Sequence, residues 1–385
     1  MAELLRLKFF KVDWVSLCVA LTLAILGLLT MASFTEGDPF AGRQAVWIVI
    51  GMVAFFVAAL VDWRFLRRSA VAGGVYFALL LPLLLLVVAG TAVQGARSWF
   101  DLGVFALQPV EFIKIGLIIV LAKYFSRRHI EIRNVRHILV SGAYTLAVFV
   151  LVALQPDFGS AIIIFCIWLG LVLVSGISRW HFLAVVALGI TVFAGLWLFG
   201  FQDYQKERIL SFVHPLADIQ GAGYNAYQST VAVGSGEIFG KGIGYGTQSK
   251  LRFLPEYQTD FIFAAFAEEW GLVGVVLLFS LYGVLFVRII RQAPRGATNF
   301  ETLFAFGVFF YFFAHFALHV GINMGLLPVT GTTIPFMSHG GSHLLAEFLA
   351  LGMLSGMHHY SRGVAREALK NEFSGGYDLP AGKLA

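Results

Sequence analysis

The chain has 385 residues, of which 59% are hydrophobic, 15% aromatic and 13% charged, with a mean hydropathy of +0.82. Soluble domains carry roughly 25% charged residues, so this composition excludes an ordinary soluble enzyme and points to a polytopic membrane protein. The net charge of +5 is no sign of nucleic-acid binding, because the Lys and Arg residues sit mostly at the ends of apolar segments, where the positive-inside rule expects them.

The basic N-terminus is followed by an apolar segment too long for a signal peptide, and no small-residue cleavage site follows it. It reads as a retained first span. Windows of about 20 apolar residues give about ten spans, at 14–32, 45–61, 70–89, 109–124, 138–154, 159–176, 182–200, 262–287, 302–322 and 343–360. The expected fold is therefore an all-α polytopic membrane protein. It forms one integral membrane domain over 1–385, with a single large outer loop at 201–261 between spans seven and eight and a tail at 362–385.

Orientation follows from charge. Arg6, Lys8 and Lys11, then Arg64, Arg67 and Arg68, then Lys123 to Arg136, then Arg288, Arg291 and Arg295, and finally the basic tail belong to one set of connections. That set is cytoplasmic. Both termini are then inside and the 201–261 loop is outside. Cys18 and Cys166 each lie in an apolar run, which argues against a disulfide or a metal site.

Several polar groups interrupt the apolar segments. Span four opens with Gln108-Pro-Val-Glu111-Phe-Ile-Lys114. Glu111 and Lys114 are i,i+3, share a helix face and can pair; they either fix helix packing or line a cavity. Gln155-Pro-Asp157-Phe-Gly-Ser makes a tight outer turn in which Asp157 can cap the next helix.

The outer loop carries Arg208 just after span seven, where its guanidinium suits either phosphate or an interfacial anchor. The loop continues through a glycine-rich run from Gly221 to Gly246. Gly-Lys241-Gly invites a phosphate-loop reading, but Ser235 and Gly242 break the Walker pattern. Lys241, Lys250 and Arg252 near flexible backbone could still hold a pyrophosphate. Tight turns folded against the membrane are the alternative.

The loop ends in Leu254-Pro-Glu-Tyr-Gln-Thr-Asp260-Phe-Ile-Phe, with Asp260 at the threshold of an apolar run. Such an acid is either a helix N-terminal residue favoured by the macrodipole or a partly desolvated general base. Glu256, Glu268 and Glu269 are rivals. Further on, His315 and His319 are i,i+4 and suit interhelical hydrogen bonds better than a metal. His339, His343 and Glu347 are split by Gly340-Gly341, which argues against one helix presenting all three.

These motifs, together with Gly234-Ser-Gly-Glu-Ile-Phe-Gly-Lys-Gly242 and Gly325-Leu-Leu-Pro-Val-Thr-Gly331, resemble the shape, elongation, division and sporulation family of polytopic membrane proteins over nearly the whole chain. The run Gly246 to Pro255 looks closest to the family's RodA branch. The resemblance implies a peptidoglycan glycosyltransferase of the bacterial inner membrane. Such an enzyme takes lipid II as substrate and a class B penicillin-binding protein as partner. It further implies Asp260 as the essential acid and Glu111 with Lys114 as the intramembrane pair. Gln108, Asp157, Arg208 and Lys241 complete the expected substrate site. A lipid II flippase and a scaffold of the wall machinery are the alternative functions. No ligand cluster announces a metal, and a divalent cation stays an open option. His315, His319, His339, His343, Gln258, Glu237 and Glu347 depart from the family's usual residues.

Overall fold

The computed structural model describes residues 12–34, 39–89, 98–101, 103, 106–126, 135–200, 203–213, 223–251 and 253–374. A helix stands at each of the ten expected positions. They are α1 (Trp14–Phe34), α2 (Pro39–Leu60), α3 (Ser69–Ala89), α4 (Pro109–Ser126), α5 (Val135–Leu154), α6 (Phe158–Val174), α7 (Arg179–Gly195), α11 (Ile262–Gln292), α12 (Asn299–Asn323) and α13 (Gly341–Ser374). Three shorter helices lie between α7 and α11, namely α8 (Asp203–Val213), α9 (Tyr224–Ser235) and α10 (Thr247–Lys250). A two-residue ladder pairs β1 (Phe100–Asp101) with β2 (Ala106–Leu107).

Seven of the described helices are long and apolar enough to cross a membrane, and α6 is a shorter apolar one. α4 falls outside that group because Glu111, Lys114 and Lys123 break its apolar face. Helix α13 runs on to Ser374, where the expected boundary near 360 gave way to the helix-forming run Ala-Arg-Glu-Ala-Leu-Lys. Among its described residues, the expected outer loop holds α8, α9 and α10.

The helices are nearly uniform in hydrophobicity around their circumference, as expected of helices buried on one side and facing lipid on the other. α12 lies at the centre, touching α4, α6 and α11, while α13 packs along α2 and α1 against α11. α7 has no buried residue. Aromatic side chains fill the centre: Tyr282, Phe286 and Phe316 stack between α11 and α12, and Phe336 meets Phe312 and Phe348.

Described parts of three of the connections that charge assigns to one side meet at one end of the bundle. Arg67, Lys123, Ser126 and Thr298 to Phe300 line one cavity, and Arg67 pairs with Glu301 at 2.6 Å. Nearby, Arg288 pairs with Asp13 at 3.0 Å. Burial pushes the Asp13 carboxyl up, but Ser16, Arg288 and Gln292 together hold it below the usual carboxylate range. Cysteines introduced singly in place of exposed Lys250 and Ala297, with Cys18 and Cys166 removed, test the orientation. Lys250→Cys should react with a membrane-impermeant thiol reagent applied outside intact cells, and Ala297→Cys only after lysis; the reverse pattern would invert the topology.

Candidate active site

At the opposite end, the chain between α12 and α13 turns back into the protein and gathers the polar residues. Its strip 330–339 touches α2, α6, α11, α12 and α13. A Cβ built on Gly331 (φ +71°) would lie 3.4 Å from Asp260 Oδ2. On another side, a Cβ on Gly159, at the start of α6, would lie 2.4 Å from Thr332 Cγ2 and 3.2 Å from the Thr330 carbonyl oxygen. Ser338 Oγ donates to the Thr259 carbonyl at 2.8 Å, and His339 N–H donates to the Gln258 carbonyl at 2.8 Å. The strip thus binds the backbone just before Asp260 and packs against its side chain.

Asp260 itself is half-buried, two residues before α11. The N-cap position belongs to Phe261, and no side chain caps there. The macrodipole reading therefore does not rest on a capping contact. Asn323 fixes the turn: its Nδ2 donates to the Asp260 carbonyl at 2.9 Å and its Oδ1 accepts from Ala264 N–H at 3.1 Å. Glu256, the nearest rival, sits at φ +51° and is exposed.

Asp157 caps α6 as its spacing suggests, accepting from Ser160 N–H at 3.0 Å. Burial pushes its carboxyl up, with the Ser160 N–H opposing. Gln108 Nε2 lies 3.4 Å from Asp157 Oδ2, and Gln108 N–H donates to Ser342 Oγ at 3.0 Å. Gln108, Asp157, the 330–339 strip and Asp260 are therefore parts of one constellation. Buried Thr332 Oγ1 and His319 Nε2, and Thr330 Oγ1, find no partner among the described residues. Unsatisfied polar atoms of this kind are what a water or a substrate hydroxyl would satisfy.

Glu111 and Lys114 pair within α4 at 2.8 Å and are 3% and 0% exposed, which makes them a sealed packing pair. Lys114 Nζ also donates to His315 Nε2 at 3.1 Å, so the His315 ring proton sits on Nδ1 and donates to the Thr333 carbonyl at 3.0 Å. Tyr311 O–H donates to Glu111 Oε2 at 3.2 Å, and His319 Nδ1 donates to the Thr332 carbonyl at 2.7 Å. Both helix-face histidines hydrogen-bond across elements, as their spacing implies. Glu111, His315 and His343 offer metal-ligand atoms within 4.8 Å of one another, a grouping invisible in the sequence because three helices supply it. The Lys114 ammonium already sits against two of the three. A cation there would have to displace it, so the donor set does not fit a metal as it stands.

The glycine-rich loop has a different task from the phosphate cradle its sequence invites. Its N–H groups are spent: Lys241 on the Glu268 carbonyl, Gly242 on the Glu269 carbonyl, both at 3.0 Å, and Gly244 on Glu269 Oε1 at 2.6 Å. In return, Leu272 and Val273 donate to the carbonyls of Glu237 and Ile238. Gly271 (φ +63°) breaks α11 to allow this pairing, and a Cβ there would lie 2.2 Å from Gly240 N. The Lys241 ammonium is likewise committed, to buried Glu268 at 2.7 Å and Thr247 Oγ1 at 2.9 Å. The ammonium expected to meet a pyrophosphate thus lies in an ion pair, with 28% of its side chain exposed. Glycines at 236, 240 and 271 serve close backbone approach. Arg208 lies in α8; its side chain, and all of Arg252, fall outside the described residues.

Residues 6–363 match the family model for cell cycle proteins of the FtsW, RodA and SpoVE type. The chain belongs to this family. It is 34% identical to stage V sporulation protein E of Bacillus subtilis, over 91% of this chain and 98% of that protein. To the peptidoglycan glycosyltransferase MrdB of Escherichia coli it is 33% identical, over 92% and 95% of the two chains. Among solved structures, it superposes with a TM-score of 0.78 on a chain 31% identical, from work titled as the structural coordination of polymerization and crosslinking by a peptidoglycan synthase complex; the match covers 91% of this chain and 98% of that one. The crystal structure of Thermus thermophilus rod shape determining protein RodA gives a TM-score of 0.68 at 29% identity, over 90% and 96%.

For this family member, residues that motif reading left without a role are central. Asn323 and Ser338 seat the Asp260 turn, and His343 and Glu347 join the buried network from α13. α13 begins at Gly341, so the Gly340-Gly341 pair marks its start instead of breaking it; His343 and Glu347 share one helix face while His339 stands outside.

Proposed function

We propose that the chain is a peptidoglycan glycosyltransferase that polymerises lipid II at the outer face of the bacterial plasma membrane, with both termini cytoplasmic. The observation that carries this reading is Asp260, half-buried beside a strip of unsatisfied polar atoms at the end of the bundle opposite the basic turns. An enzyme facing outward has no nucleotide sugar to draw on. A lipid-pyrophosphate sugar brings its own leaving group, and its polyprenyl tail belongs in the bilayer.

In this mechanism Asp260 takes the proton of an acceptor sugar hydroxyl. That oxygen bonds to the anomeric carbon of the donor, and the bond from that carbon to the pyrophosphate oxygen breaks, the electron pair leaving with the pyrophosphate. Arg208 is the cation proposed to receive that charge. Gln108 and Asp157 line the approach. Lys114 and Glu111 support the wall from within, since neither reaches solvent. A class B penicillin-binding protein is the proposed partner, supported by the synthase complex whose chain this fold resembles.

The test is purified protein with that partner and lipid II, with glycan polymer resolved on a gel. Polymer formation is the expected result. Lipid II transport into vesicles without polymer would assign a flippase instead, and neither activity would leave the scaffold role.

A further inference from the structure

The buried network holds two residues that the mechanism above does not use. His343 and Glu347 are i,i+4 on α13, 3% and 0% exposed. His343 Nδ1 lies 3.0 Å from Glu111 Oε2, and donates to it where that acid is already paired with the Lys114 ammonium. His343 Nε2 hydrogen-bonds Thr333 Oγ1 at 2.9 Å and lies 2.8 Å from Glu347 Oε1, outside hydrogen-bonding geometry. Charge balance assigns one proton to this close pair, on the ring or on the carboxyl. With it, the four groups Glu111, Lys114, His343 and Glu347 sum to zero charge. A net charge sealed among Tyr311, His315 and the aromatic core would be costly.

The same two side chains grip the strip that seats Asp260. Glu347 Oε2 accepts from Phe336 N–H at 2.7 Å. Phe336 stands at φ +62°, a conformation a bulky residue keeps only when its surroundings impose it. At the other end of that turn, His343 holds the Thr333 hydroxyl. Directly beyond lie Ser338 and His339, which bind the carbonyls of Thr259 and Gln258, and directly before lies Gly331, packed against Asp260.

We propose that His343 and Glu347 are positioning residues for the transfer reaction, a proton-sharing pair that clamps the 331–339 strip and through it sets the position of Asp260. This rests on the reading of Asp260 as the base. The pair touches no reacting atom. Its loss should misplace the base and leave substrate affinity alone, and a small misplacement is enough to cost rate.

Four variants decide it, assayed with the partner protein on lipid II for kcat and KM separately: Glu347→Ala, Glu347→Gln, His343→Ala and the double variant His343→Ala with Glu347→Gln. Glu347→Ala releases Phe336 N–H, and kcat should fall by about 10-fold to 100-fold with KM unchanged. Glu347→Gln can still accept from Phe336 N–H and donate to a neutral His343, so it should recover kcat to within about threefold of wild type. His343→Ala leaves Glu347 without its proton-sharing partner, and the double variant, which restores neutrality, should be the more active of the two. A wild-type kcat in Glu347→Ala would overturn the proposal, as would a Glu347→Gln no better than Glu347→Ala. If Glu347→Ala does not fold, the order of His343→Ala and the double variant decides alone, and a double variant no better than the single refutes the shared proton. Asp260→Asn run beside them separates the two readings. If it polymerises normally, the base assignment fails and this inference with it. If it is inactive while Glu347→Ala is unaffected, only the clamp falls.

Discussion

Asp260→Asn should abolish polymerisation of lipid II, by about 100-fold or more, while leaving the fold and the partner complex intact. A general base contributes typically 10²-fold to 10⁴-fold, and asparagine matches aspartate in size and hydrogen bonding but cannot take a proton. The fold should survive because the turn is fixed by main-chain groups: Asn323 holds the carbonyl of residue 260, and Ser338 and His339 hold the carbonyls of Thr259 and Gln258. Glu256→Gln should be far milder, because that side chain is exposed and an amide oxygen can still accept from Gln258 and Thr259. The measurement is glycan polymer from equal amounts of purified complex, beside lipid II transport in the same vesicles. Polymerisation near the wild-type rate by Asp260→Asn would remove this residue from the chemistry. Normal polymerisation with lost transport would favour a flippase.

How much of this was legible beforehand depends on the range of the forces involved. Helix positions were, because a span needs about 20 apolar residues in sequence and each expected stretch became a helix. The Glu111–Lys114 pair and the Asp157 cap were legible too, since both are contacts within one turn of helix. Asp260 stood out by its place at the edge of an apolar run. What could not be read was what long loops bring together. The 330–339 strip touches α2, α6, α11, α12 and α13, and the contacts around it join residues as far apart as 63 and 232 positions, so no local pattern reveals that Asn323 serves Asp260 or that His343 meets Glu111. The glycine run misled for a related reason. Glycine permits close approach to a phosphate and to a helix backbone alike, and only the break at Gly271 shows which of the two it is here.

Removing the Lys114 ammonium should be the most destabilising single change in the bundle. Lys114→Ala strips Glu111 of its partner at 2.8 Å and His315 of its donor at 3.1 Å, in a place where neither can reach water. Breaking a buried ion pair from one side costs about 3–5 kcal/mol, because the remaining charge is left uncompensated. Lys241→Ala offers the contrast. Its partner Glu268 is equally buried and keeps the N–H of Gln248 and the hydroxyl of Thr247, as Glu111 keeps Tyr311 and His343, but Lys241 itself is 28% exposed, so water can fill the place of its ammonium. The loss there should be smaller. A double variant, Glu111→Gln with Lys114→Met, removes both charges together and leaves an amide oxygen to accept from His343 and Tyr311. It should therefore be more stable than Lys114→Ala, the non-additivity expected of groups in one network. Thermal unfolding of the detergent-purified proteins reads all three. The ordering predicted is Lys241→Ala mildest, and the double variant above Lys114→Ala. A Lys114→Ala protein with the midpoint and yield of wild type would show that the pair carries neither the packing of α4 nor the seat of the strip beside Asp260.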